Sequence, residues 1–349
     1  MLKLPDPHPI LDWYERSKRD LPWRHTRDPY HIWVSEIMLQ QTRVEAVKPY
    51  FDAFIAAFPT VRHLAEAPSE QIMKLWEGLG YYSRARNLQK AAQLIMQDFG
   101  GEIPSDTSDL KRLPGIGDYT AGAIASIAFS KPAPAVDGNV LRVMSRLLDC
   151  HESIDSPAVK QKFSALLSSV YPTDRPGDMT QALMELGATV CVPGKQPPKC
   201  EICPLAHLCL AKKRDTWRTL PVKNPKKARA VQNFTILLLK HEGKFAIIRR
   251  PETGLLAGLW QYPMLPDHLD ETALLAALSE KGMSPLSLKA LPDAVHIFTH
   301  LEWHMQGYFA DVSSPSPDFI WESAENILAR YAIPSALKVY LQIMKDDIK

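Results

Sequence analysis

Cys191, Cys200, Cys203 and Cys209 fall within nineteen residues of a chain that has five cysteines in all. Thiols this dense suit an iron–sulfur cluster or zinc, because either centre neutralises thiolate charges that would otherwise repel. Zinc ribbons place two Cys-x2-Cys knuckles about 15 to 20 residues apart. Here one knuckle, Cys200 and Cys203, has a single cysteine before it and another after it. That pattern favours a 4Fe-4S cluster, with zinc, and disulfides or free thiols, as the alternatives.

A second chemical feature is LPGIGDYTAGAI, Leu113 to Ile124. Pro114, Gly115 and Gly117 predict a turn between two helical segments. Glycines there let backbone N–H groups approach a phosphate at the start of the following helix, where the dipole also favours an anion. Such a turn alone is as consistent with a plain helix–helix connection. Downstream, AVDGNVLRVMSRLL places Asp137 at the start of a helix with Val140, Val143, Met144 and Leu147 at helical spacing.

These residues sit in a chain of 349 residues, 46% hydrophobic, with a formal net charge of +2. The length predicts two domains. No stretch approaches the roughly 20 apolar residues of a membrane span, so no membrane association is expected. Met1 to Pro9 carries prolines and an Asp where a secretory signal needs an apolar run. An intracellular, cytoplasmic protein without disulfides is therefore expected, nucleoid-associated in a bacterium. The pattern is helical up to about residue 220. FTILLLK and KFAIIRR, split by His241-Glu242-Gly243, then predict a β-hairpin. Between them lies a basic stretch with Lys212, Lys213, Arg214, Arg218, Lys223, Lys226, Lys227 and Arg229. It reads either as a solvated hinge or as a strap that contacts phosphates.

The joint order of the glycine hairpin, Asp137-Gly138-Asn139 and the four-cysteine loop resembles the endonuclease III superfamily of DNA glycosylases. Within it the chain resembles the MutY family of adenine glycosylases, over almost its whole length. The resemblance implies a multidomain protein: an all-α helix-hairpin-helix glycosylase with an iron–sulfur cluster loop, plus an α+β Nudix-like C-terminal domain. The expected boundaries are a catalytic region over 1–215, with a six-helix lobe over about 28–134 and an iron–sulfur lobe from about 1–27 and 135–215. A basic linker over 216–230 and a recognition domain over 231–349 complete it. The implied partner is double-stranded DNA with adenine opposite 8-oxoguanine or guanine, bound by a monomer, and the implied reaction is hydrolysis of the adenine N-glycosidic bond.

Adenine leaves poorly until its ring is protonated, so the site needs an acid at the base and a negative charge near the sugar. Glu36 lies on a predicted helix among Trp33, Ile37 and Leu39, whose apolar character raises a carboxyl pKa. By resemblance it is the general acid at adenine N7. Asp137 stands where cap N–H groups favour its ionised form, and by resemblance it stabilises the sugar cation. Taken singly, each has a plain structural reading, a surface Glu and an N-cap Asp. Asn139 and Tyr119 match family positions around the sugar. A glycosylase that also cuts the strand needs an amine, and Tyr119 stands where such enzymes carry a Lys. The expected activity is monofunctional, with Lys111 and Lys131 as candidates for slow lyase chemistry.

A flipped base leaves a gap in the duplex that must be filled. Helical continuation would put Gln40 on the face of Glu36 and rotate Gln41 by about 100°. By resemblance Gln41 inserts into the duplex, Tyr81 wedges beside the lesion, and Trp23, Arg24 and Gln181 belong to the adenine pocket; Gly115 and Gly117 contact the backbone. RRPETGLLAGLWQYP, Arg249 to Pro263, carries the Nudix resemblance. ETALLAALSEKG lacks the glutamate cluster that a Nudix hydrolase uses to hold magnesium, so recognition without hydrolysis is expected. Phe298, Thr299 and His300 stand where the family has Phe-Ser-His against 8-oxoguanine. The loop between the first two cysteines, VPGKQPPK, is two residues longer than the family's usual six.

Overall fold

The computed structural model describes residues 8–225 and 228–347. Residues 1–7, and Lys226 and Lys227 of the basic stretch, lie outside the described residues. The chain forms two compact units, one of residues 1–66 and 87–225, the other of residues 67–86 and 226–349.

The first unit is helical throughout its described residues. Its central helix, Pro29–Leu39, is capped by Asp28, whose side chain accepts from the Tyr30 N–H. Tyr30, Ile32, Trp33, Val34, Ile37 and Met38 are buried around its whole circumference, as in a helix enclosed by others. It packs against helices Val44–Ala57 and Asp118–Ile127. Helix Pro176–Thr189 packs against Asp118–Ile127, Gly138–Leu147 and His8–Ser17. Where it crosses Gly138–Leu147, a Cβ on Gly187 would lie 2.5 Å from the Asn139 Cβ. Only glycine allows that approach.

The basic stretch is fastened to this unit as far as Asn224. The Arg146 Nε donates to the Leu220 carbonyl at 3.0 Å, the Ile154 N–H to the Val222 carbonyl at 3.0 Å, and the Asn224 N–H to the Asp155 carboxylate at 2.8 Å.

The second unit is built on a mixed sheet of seven strands: β1 (Ala230–His241), β2 (Lys244–Arg249), β3 (Trp260–Gln261), β4 (Met264–Pro266), β5 (Pro285–Ile297), β6 (Leu301–Val312) and β7 (Ile320–Ser323). The order is β3-β2-β1-β6-β5, with β4 on β1 and β7 on β2. β1 and β6 are parallel, and the other pairs antiparallel. The FTILLLK run forms the middle of β1, and Glu242 and Gly243 turn into β2 with positive φ. Ile236 and Leu238 enter a core with Phe245, Trp303 and Tyr340. Leu237 and Leu239 enter a second core with Leu274 and Leu278 of helix Glu271–Glu280. Residues that alternate along a strand point to opposite faces, so an unbroken apolar run marks a strand covered on both sides.

Candidate active site

Glu36 is buried in the third turn of helix Pro29–Leu39, 5% exposed. The Tyr119 hydroxyl, from the first turn of helix Asp118–Ile127, donates to its Oε2. Burial pushes the Glu36 carboxyl from 4.5 up to about 7; the Tyr119 bond and Arg24 lower it, and the charge of Asp137 raises it. Burial and the two carboxylates likewise hold the Tyr119 phenol well above its ordinary range, in its protonated form.

Asp137 caps helix Gly138–Leu147, with Oδ1 accepting from the Val140 N–H at 2.8 Å and Oδ2 from the Asn139 Nδ2 at 2.7 Å. The sequence predicted a cap that favours the ionised form, and the cap is present. Burial nevertheless outweighs it, so the pKa of Asp137 lies above the ordinary value, although the Val140 and Asn139 donors and Arg142 act to lower it. Asn139 is itself held by Arg142, whose Nη2 donates to Asn139 Oδ1 at 2.9 Å and to the Gly187 carbonyl at 2.7 Å.

A cavity of about 160 Å³ is lined by Trp23, Arg24, Glu36, Tyr119, Asp137, Asn139 and Gln181. Trp23 packs edge-on against Phe51 with ring centroids 5.5 Å apart. Helix Pro176–Thr189 contributes Gln181, Met184, Glu185 and Ala188, the i, i+3, i+4, i+7 stripe of one face. Glu185 was not singled out from the sequence. It is fully buried, and its carboxylate receives Arg19 Nε at 2.6 Å and Arg24 Nη2 at 2.7 Å. Burial raises its pKa, but the two guanidinium groups reverse this and hold it below the ordinary range. The stripe itself was the available signal.

Leu39, Thr42, Tyr119, Asp137 and Asn139 line both this cavity and an open groove of about 1630 Å³. Gln40, Gln41, Gly115 and Gly117 lie along the groove. Gly115 needs its φ of +82°, and a Cβ there would lie 3.0 Å from the Asn87 Cβ. Arg43, Lys160 and Lys223 also line the groove and were not assigned from the sequence, though Lys223 belongs to its basic stretch. The helical placement of Gln40 and Gln41 is corrected. The helix ends at Leu39, and Gln40 is its C-cap with ψ 111°. Gln40 Nε2 reaches Thr120 Oγ1 at 3.4 Å, and Gln41 stands exposed with a left-handed φ of 58°. Lys111 Nζ binds Asp118 at 3.0 Å and Lys131 Nζ binds Asp106 at 2.6 Å.

Tyr81 and the Phe298–His300 turn meet within the second unit. The Tyr81 hydroxyl lies 3.3 Å from Thr299 Oγ1, and Tyr81 is 47% exposed. Thr299 and His300 are exposed. The Phe298 ring packs edge-on against Trp303 at 4.9 Å and His296 at 4.5 Å.

The four thiols of the cysteine loop sit close enough to perturb one another. Burial first, then the charges of Cys191, Cys200 and Cys209, push the Cys203 thiol up to about 12. The Cys200 and Cys209 thiols are raised as well, burial again leading. Among the described residues no three His, Cys, Asp or Glu side chains are held in metal-binding geometry. The donor set still fits a 4Fe-4S cluster: four soft, mutually repelling thiols, with Arg146 Nη1 donating to Cys191 Sγ at 3.4 Å. A backbone bond from the Lys199 N–H to the Val190 carbonyl closes the long VPGKQPPK loop at its base. Residues 193–197 of the loop are exposed.

Residues 34–169 match the profile of the HhH-GPD superfamily base excision DNA repair proteins, and residues 234–342 that of the NUDIX domain. The chain is 36% identical to the adenine DNA glycosylase of Homo sapiens over 88% of this chain and 67% of that protein. It is 32% identical to the adenine DNA glycosylase of Buchnera aphidicola over 97% of both. The chain belongs to the adenine DNA glycosylase family. Among solved structures, a thermostable thymine-DNA glycosylase matches with a TM-score of 0.53 and 31% identity, over 60% of this chain and 95% of that one. A trapped endonuclease III–DNA covalent intermediate matches with a TM-score of 0.52 and 26% identity, over the same shares. The family's two parts are thus both present, a helix-hairpin-helix glycosylase fold and a Nudix-like mixed sheet. No helix among the described residues is long and apolar enough to cross a membrane.

Proposed function

We propose that the chain removes adenine mispaired with 8-oxoguanine or guanine by hydrolysis of the N-glycosidic bond, without cutting the strand. The observation that carries this is a buried carboxyl poised near neutrality, Glu36, facing the capped carboxylate Asp137 across a cavity that meets an open groove. Two carboxyls whose surroundings separate their pKa values can divide acid and counter-ion roles. Asp137 accepts from backbone and amide N–H donors, which favour its ionised form, and Glu36 is the carboxyl assigned the proton. Glu36 protonates adenine N7, Asp137 stabilises the cationic sugar, and Glu36, now ionised, activates water.

Trp23, Arg24 and Gln181 would receive the extruded adenine, with Glu185 holding Arg24. Gln41, exposed on the groove, would fill the stack, and Gly115 and Gly117 would leave room for a phosphate. Lys111 and Lys131, the candidates for lyase chemistry, are engaged with carboxylates, which supports a monofunctional reaction. Tyr81, Phe298, Thr299 and His300 would read the base opposite adenine. Cys191, Cys200, Cys203 and Cys209 would hold a 4Fe-4S cluster, whose role is to order this loop. The regions expected from the sequence, a catalytic part over 1–215, a linker over 216–230 and a recognition part over 231–349, remain the proposed division of labour.

The test is single-turnover excision from a duplex with adenine opposite 8-oxoguanine, read with and without alkali. Strand breaks that appear only after alkali support the proposal. Breaks without alkali would refute the monofunctional reading, and no excision would refute the whole.

A further inference from the structure

Tyr81 adopts a left-handed φ of 47°. A bulky residue keeps that conformation only where its surroundings over-determine it. The surroundings do so from within. Arg84 donates to the Leu79 and Gly80 carbonyls at 3.0 Å each, Trp76 Nε1 donates to the Gly80 carbonyl at 3.2 Å, and the Gly78 N–H reaches the Tyr82 hydroxyl at 3.2 Å. Those bonds shape the loop but do not locate it against the turn that carries Thr299.

Location comes from three anchors that bracket Tyr81 in sequence. Before it, Lys74 Nζ donates to the Tyr331 carbonyl at 3.1 Å, and the Glu77 carboxylate accepts the Ile333 N–H at 2.9 Å. Lys74 and Glu77 are joined to each other at 2.6 Å. After it, Arg86 Nη1 donates to the Ala257 carbonyl at 2.7 Å. Each anchor bonds the backbone of the Nudix-like part, so each fixes position without depending on a partner side chain. The Trp260 N–H, bonded to the Ala332 carbonyl at 3.2 Å, ties the segment gripped by Lys74 and Glu77 to β3.

We propose that Lys74, Glu77 and Arg86 are positioning residues for recognition of the base opposite adenine, acting by holding Tyr81 against Thr299. The inference rests on the reading of Tyr81 and Thr299 as the sensors of that base. A hydrogen bond across an exposed pair forms only if its two ends are already registered; without registration its net contribution is lost to conformational freedom. The anchors supply the registration. They lie outside the cavity of Glu36 and Asp137, so the cleavage step itself does not use them.

The test measures single-turnover excision and duplex affinity for adenine opposite 8-oxoguanine and opposite guanine, using full-length protein. Glu77→Leu removes the acceptor, whereas Glu77→Gln keeps a carbonyl oxygen for the Ile333 N–H. Glu77→Leu should cut the preference for 8-oxoguanine by roughly three- to tenfold while excision opposite guanine stays within about twofold, and Glu77→Gln should restore most of the preference. Arg86→Met, from the other side of Tyr81, should repeat the Glu77→Leu result, and tests the idea independently should Glu77→Leu fail to fold. Combined with Thr299→Ala, Glu77→Leu should add little further loss, because both act on one contact. Parental preference in Glu77→Leu and Arg86→Met, equal loss on both substrates, or additive losses with Thr299→Ala would overturn the proposal. A parent protein with no preference would instead overturn the reading of Tyr81 and Thr299 as sensors.

Discussion

Glu36→Gln keeps the shape of the side chain and removes its proton, so it should silence excision and also change how stability depends on pH. The folded-state pKa of Glu36, about 7, lies above its ordinary 4.5. Below pH 4.5 both folded and unfolded chains hold the proton, and the full stability is present. Between pH 4.5 and 7 the unfolded chain releases its proton while the folded chain keeps it, so stability is progressively lost until the folded chain ionises as well. At about 1.4 kcal/mol per pH unit the loss reaches about 3 kcal/mol above neutrality. Gln has no such penalty, and its carbonyl oxygen still accepts from Tyr119. The variant should therefore gain on the parent between pH 5 and pH 8.5, by roughly 5–10 °C in apparent Tm for a unit of this size. Thermal unfolding of both proteins at the two pH values, followed by circular dichroism, measures the difference; carboxylates remote from Glu36 cancel between them. A gap that does not widen with pH would show that Glu36 is not held protonated by burial, and the acid role would lose its physical basis.

The same pKa predicts that single-turnover excision falls about tenfold per pH unit once the pH exceeds about 7; a profile flat to pH 9 would refute Glu36 as the acid. Asp137→Asn should lose on the order of 10²-fold or more in excision at near-normal duplex affinity, and a loss below about tenfold would mean that Asp137 is only a cap. Purified protein should be brown with about four irons per chain, and Cys200→Ser should give poorly soluble protein; stoichiometric zinc on elemental analysis would refute the cluster. Thr299→Ala should weaken the preference for 8-oxoguanine by a few-fold, as expected for one hydrogen bond of about 0.5–1.5 kcal/mol, measured as the ratio of excision rates opposite the two bases.

Features set by neighbours in the sequence were legible before the fold was seen. Glu36 among Trp33, Ile37 and Leu39 announces its own burial, and the Asp137 cap follows from the helix it begins. The FTILLLK run was legible as a strand for a related reason, since a strand covered on both faces needs no alternation. The turn of the chain at Gln40 and Gln41 was not, because Leu39-Gln40-Gln41-Thr42 contains neither Gly nor Pro to stop a helix. The left-handed Gln41 is a product of packing, which local propensity does not encode. Burial of Asp137 likewise depends on helices remote in sequence. So does the meeting of Tyr81 with Thr299, 218 positions apart. Glu185 lay between these cases: its stripe was readable, but its two arginine partners were 161 and 166 positions away.

Helix Gly138–Leu147 explains why a four-thiol loop belongs in an enzyme whose proposed chemistry needs no electron transfer. Asp137 caps one end. Within the helix, Arg142 binds Asn139 at 2.9 Å, the Gly187 carbonyl at 2.7 Å and the Cys191 carbonyl at 2.8 Å. One turn further, Arg146 binds the Val192 and Leu220 carbonyls at 3.0 Å each and accepts at its own carbonyl from Cys209 Sγ at 3.4 Å. Each of these buried guanidinium groups thus takes one carbonyl acceptor from the loop that carries the thiols, Arg142 that of Cys191 and Arg146 that of Val192. A buried cation that loses acceptors is costly and moves toward water. Disorder in the thiol loop would therefore cost Arg142 its Cys191 acceptor and weaken its hold on Asn139, the amide donor to Asp137.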